Sequence, residues 1–207
     1  MSEKSEDTLA NDLAFLKGLV GEGSRAEMSG GIVFLGAGII YGVQCLIQWI
    51  NLMGWIHLNG PGNIAVGALP TVALLILVFW VSWRDRKNGP KGVATRALNA
   101  AFSSAGLANL FIVAVIAYVA ITEKSFVIWA LYPAVICAMQ GAVWYTAYMI
   151  RRKLWLAFVS AGWFATTLAL GALVRSPHYV LVIGLALLFL MGGSGYTMMR
   201  LAKKRLG

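Results

Sequence analysis

Six stretches of this sequence, residues 31–56, 64–83, 97–121, 126–150, 154–174 and 179–199, contain no Asp, Glu, Lys or Arg. About 20 consecutive apolar residues suffice to cross a hydrocarbon core of roughly 30 Å. Lipid offers no partners to a bare peptide group, so such segments must satisfy their own backbone as helices. The rest of the composition agrees. Charged residues make up 12% of the chain and the mean hydropathy is +0.76, whereas soluble domains carry about a quarter charged residues. The sequence therefore predicts an all-α integral membrane protein with six transmembrane helices and little chain left for loops.

The net charge of +9 first suggests nucleic acid, but that needs basic residues gathered on a water-exposed surface. Here they sit between apolar spans, so no nucleic acid partner is expected. Fifteen of the 17 basic residues fall on one side: Lys4, Lys17 and Arg25 in the leader, Arg84, Arg86, Lys87, Lys91 and Arg96 in one loop, Arg151, Arg152 and Lys153 in another, and Arg200, Lys203, Lys204 and Arg205 in the tail. Only Lys124 and Arg175 oppose them. Lys and Arg near span ends are retained on the cytoplasmic side. The expectation is a bacterial-type inner (plasma) membrane protein with both termini cytoplasmic. Arg84, Arg86, Lys87, Arg151, Arg152, Lys203 and Lys204 are the candidates for contacting anionic lipid headgroups or a protein partner.

Three regions follow: a cytoplasmic leader (1–29), a six-helix transmembrane domain (30–199) and a basic tail (200–207). In the leader, Leu9, Leu13, Leu16 and Val20 recur at helical spacing, with Thr8 as N-cap and Gly21 and Gly23 as the expected break. This predicts an amphipathic helix at the membrane interface, or one docked on a partner or on its own bundle. The acidic first residues lack the basic and apolar regions of a signal peptide, so cleavage is not expected.

The odd-numbered spans share a patch at similar depth: Phe34-Leu35-Gly36-Ala37-Gly38, Phe102-Ser103-Ser104-Ala105-Gly106 and Phe158-Val159-Ser160-Ala161-Gly162. All three would enter from the same side, which predicts three parallel-repeated helical hairpins rather than inverted repeats. Small residues also recur at four-residue spacing, as at Gly38 and Gly42, which serves close helix packing either within one chain or at a homo-oligomer seam. Gly192-Gly193-Ser194-Gly195 lies inside a span, outside the context of a nucleotide loop, and is expected to serve packing as well.

Tyr41, Gln44, Gln48 and Asn51 share one face of the first span. Lipid cannot satisfy that face, so it must meet another helix, a wet cavity or a ligand. Asn109 and Gln140 are isolated amides elsewhere that complete the set of candidate ligand or pathway residues. His57 and His178, both near span ends, are weak candidates for metal ligands, since two imidazoles alone do not make a site. No catalytic residues or cofactors are assigned. Cys45 and Cys137 lie within apolar runs and read as buried thiols.

The leading functional expectation is a non-enzymatic scaffold or sensor subunit that acts through a cytoplasmic or membrane partner. Its competitor is a small uncoupled transporter or channel for an uncharged or lipid-like molecule, lined by the polar face of the first span.

Overall fold

In a computed structural model that describes the backbone of residues 3–86 and 93–206, with side chains at 24, 27–86 and 93–205, every regular element is a helix. These are α1 (Glu3–Leu52), α2 (Gly60–Asp85), α3 (Val93–Thr122), α4 (Phe126–Arg151), α5 (Leu154–Ala172), α6 (His178–Ala186) and α7 (Gly193–Leu206), the last two joined by a π-helical stretch, Leu187–Gly192. Six segments are long and apolar enough to cross a membrane, the sixth being the α6–α7 rod.

The helix ends follow local chemistry. The Asn59 side chain accepts the Gly62 N–H and caps α2. Gly54, at φ +76°, turns the chain after α1, and Asn51 Oδ1 accepts the Leu58 N–H at 3.0 Å. The first span consequently stops at Leu52 instead of continuing to residue 56. At the other end α1 runs unbroken through Gly21 and Gly23, contrary to the expected break. A helical glycine costs about 1 kcal/mol, and burial of Ser24, Glu27 and Ser29 against the protein is enough to override that. The apolar stripe Leu9 to Val20 lies outside the described side chains.

The helices form an open arc. α2 packs on α1, α1 on the α6–α7 rod, that rod on α5, α5 on α4, and α4 on α3. α2 and α3, neighbours in sequence, make no comparable contact and stand apart as the two ends of the arc.

The seam between α1 and the sixth span is made of glycine. A Cβ on Gly31 would lie 2.8 Å from the Gly195 carbonyl oxygen, one on Gly195 would lie 2.7 Å from that of Gly31, and one on Gly38 would lie 2.7 Å from that of Leu187. The obstructing atoms are backbone. Only glycine permits the approach, which is how helices associate where leaving lipid brings no hydrophobic gain. Gly38 and Gly42 thus spend their small size inside the chain, and the π-helical turn sits against Gly38.

The core lies between α4, α5 and the sixth span, around Trp144, Leu156, Trp163 and Leu170. Ser160 donates to the Gly141 carbonyl at 2.7 Å, and the Tyr179 hydroxyl donates to that of Ala130. Cys137 is buried and Cys45 half-buried, both as free thiols.

Candidate functional site

One end of the arc carries Glu27, Arg84, Arg151, Lys153 and Arg205. Glu27 is 2% exposed and lies midway along α1, where the ends of α4 and α7 meet it. Its Oε2 accepts a hydrogen bond from Arg205 Nη1 at 2.7 Å. Its Oε1 lies 3.0 Å from Arg151 Nη1 and 4.0 Å from Lys153 Nζ, yet receives no hydrogen bond of good geometry. Oε1 is therefore ion-paired with its acceptor capacity unspent. A buried carboxylate needs such company, because desolvation costs several kcal/mol per ion. Among the described residues the cluster nevertheless holds three cations against one anion. Burial lowers the Lys153 pKa from its ordinary 10.5; Glu27 opposes this, and Arg205 and Arg151 reinforce it.

Beside this cluster, between the separated α2 and α3, is a cavity of about 750 Å³, within the range that takes a drug-sized ligand, about 300–1,000 Å³. Its apolar lining centres on Phe34, Phe102 and Trp144, whose rings meet edge to face or tilted at 5.1–5.4 Å. These three residues come from α1, α3 and α4. Its polar lining includes Glu27, Ser29, Arg84 and Arg151. Arg84 is held in place: Nη2 donates to the buried Ser29 hydroxyl at 2.9 Å, Nε lies 3.4 Å from Asp85, and the guanidinium sits 5.2 Å over the Trp80 ring. Trp144 and Trp155 also line the cavity, with their indole nitrogens turned out of reach of it. The indole N–H groups of Trp144 and Trp155 are buried without a partner, and Trp144 is 2% exposed.

Of the residues singled out from sequence, Arg84 and Arg151 line the cavity. Arg86 lies 5.9 Å over the Trp83 ring, Arg152 ends α4 at φ +53°, Lys203 and Lys204 are exposed on α7, and Lys87 lies outside the described residues. None of the six amide and tyrosine candidates lines it. The Tyr41 hydroxyl is 3.3 Å from that of Thr71, Asn51 binds the backbone beyond α1, and Asn109 accepts from Tyr132 at 2.8 Å. Gln44 and Gln48 are half-buried, and Gln140 Oε1 is buried without a partner. The His178 ring lies 6.3 Å from that of Trp49, and among the described residues no three His, Cys, Asp or Glu side chains gather as a metal site would require. Sequence reasoning missed Glu27, Ser29, Trp144 and Trp155. The available signal was Glu27 itself, an acid directly before an uncharged run.

Fold and site together define a polytopic helical membrane protein with an amphipathic cavity between two splayed spans. Comparison with known protein families, curated proteins and solved structures finds no match.

Proposed function

We propose that this protein binds a lipid-like molecule, which enters sideways from the bilayer between α2 and α3 and seats in the cavity at the basic end. The observation that carries the reading is the cavity itself: an aromatic floor and a polar, hydrogen-bonding rim, placed where α2 and α3 fail to pack. Side chains such as Leu75 and Phe79 on α2 and Leu107 and Phe111 on α3 are exposed, so the walls of the cleft suit an acyl chain. An amphiphile is the one ligand class that satisfies both ends of such a site.

By the positive-inside rule the basic end faces the cytoplasm, with both termini there and the protein in a bacterial-type inner membrane. The headgroup would then lie at the cytoplasmic interface. This favours the lipid-like ligand among the expectations from sequence, but seats it away from the Tyr41, Gln44, Gln48 and Asn51 face. The sensor expectation joins it naturally, since occupancy would be felt by Glu27 and hence by the leader and tail that a partner could read. We place no catalytic step here.

The test is equilibrium binding of a labelled monoacyl amphiphile to the protein in nanodiscs of zwitterionic lipid. Ser82 and Ser103 line the cavity from its two sides and are exposed. The S82W/S103W double variant should weaken saturable binding at least tenfold while keeping its helicity and thermal midpoint. Unchanged affinity would remove the cavity as the site.

A further inference from the structure

The charged lining of the cavity is balanced, Arg84 and Arg151 against Glu27 and Asp85, but Lys153 and Arg205, which meet Glu27 beside it, tip its surroundings positive, and that excess specifies the ligand's polar end. Around Glu27 one carboxylate faces three cations, while Arg84 and Asp85 offset each other. Among the described residues two positive charges therefore remain uncompensated, next to the cavity. The Arg84 guanidinium engages Asp85 and Ser29 through Nε and Nη2, and among the described residues the Nη1 donors of its five N–H groups are unspent.

We infer that the ligand's headgroup is an oxyanion, a phosphate monoester or a carboxylate, received by Arg84 and Arg151, with Glu27 as the resident counter-ion that keeps Arg151 in place when the site is empty. This inference rests on reading the cavity as an amphiphile site. Guanidinium groups suit the role because their planar fork matches a phosphate or carboxylate in pairs of parallel hydrogen bonds. The rival is a quaternary ammonium head caged by Phe34, Phe102 and Trp144. Those rings pack against one another at 5.1–5.4 Å and do not stand open as separate walls around a cation. The surplus positive charge opposes that rival further.

The experiment compares three amphiphiles with one acyl chain: lysophosphatidic acid, monoacylglycerol and lysophosphatidylcholine. Binding is measured to the full chain in neutral nanodiscs, with inorganic phosphate as a separate competitor. Lysophosphatidic acid should bind at least tenfold more tightly than either of the others, and its affinity should fall as salt is raised. In R84Q that preference should collapse to within about twofold, and R84K, which keeps the charge but loses the fork, should retain only part of it. Equal affinity for all three in the unmodified protein would overturn the oxyanion headgroup and leave the amphiphile site standing. Preference for lysophosphatidylcholine would replace it with the aromatic cage. Saturable binding of inorganic phosphate with none of the amphiphiles, or no binding at all, would overturn both the headgroup and the reading beneath it. The headgroup series needs no variant, so misfolding of R84Q cannot shelter the inference.

Discussion

Arg205 and Glu27, 178 residues apart in sequence, share a 2.7 Å hydrogen bond between Nη1 and Oε2. That contact fastens the last helix to the beginning of the first span, and Arg151 and Lys153 bring the α4–α5 connection to the same carboxylate. The arc is therefore pinned at its basic end by one acid, next to the cavity.

Removing Glu27 should cost far more than removing any one of its partners. Glu27→Ala leaves three cations facing one another, and breaking a buried pair costs about 3–5 kcal/mol. Partial exposure of the cations, 20–39%, reduces that to about 1–3 kcal/mol. Arg205→Gln leaves two cations on the acid and should cost under about 1 kcal/mol. Thermal unfolding in mild detergent, followed by helicity, distinguishes the two; equal losses would contradict the shared-anchor account.

The glycine seam predicts a sharp contrast between chemically similar changes. Gly195→Val drives a side chain into the backbone of Gly31 and Leu35, and overpacking that only backbone movement can relieve costs upwards of about 1–3 kcal/mol. Gly106→Ala meets open space and should be neutral or stabilising by up to about 1 kcal/mol, the difference in helix propensity. Similar unfolding midpoints for both variants would show that α1 and the sixth span are not in backbone contact.

Lys153 gives a pH signature with a definite sign. Burial sets its folded pKa below the ordinary 10.5, so between the two values the unfolded chain binds more protons and stability rises with pH. Below the lowered value both states are charged, and the penalty is constant. The wild type should gain stability as pH climbs towards 10.5, and Lys153→Met should lack that increment. Parallel pH profiles would contradict the burial.

Trp144 separates packing from hydrogen bonding. It is 2% exposed, so Trp144→Ala should cost about 3–5 kcal/mol. Trp144→Phe deletes an N–H that has no partner among the described residues and should stay within about 1 kcal/mol of wild type. A large stability loss in the Phe variant would mean that the indole nitrogen is already satisfied.

The spans were legible because the demand that hydrocarbon places on the backbone acts locally. The expected starts of the fourth and fifth, Phe126 and Leu154, coincide with those of α4 and α5. The helix through Gly21 and Gly23 was not legible, since a local cost of about 1 kcal/mol per glycine yields to burial of Glu27 among Arg151, Lys153 and Arg205, remote in sequence. The cavity was hidden for the same reason. It exists because α2 and α3 part, and its charge comes from α1, α2 and α4, a convergence that no single run of sequence encodes. The amide face of the first span was visible as a pattern, but two of its members, Tyr41 and Asn51, have local partners that the pattern alone does not reveal.

The central claim is that the cleft between α2 and α3 admits a lipid-like molecule, and photoaffinity mapping addresses it directly. A monoacyl phosphate carrying a diazirine in its chain would be irradiated with the protein in neutral nanodiscs, and the labelled peptides identified. Saturable labelling concentrated on Leu75 to Val81 and Phe102 to Phe111, and suppressed by unlabelled lysophosphatidic acid, is the predicted result. Labelling spread evenly over exposed positions such as Leu69, Phe158 and Leu168, unaffected by competitor, would contradict it.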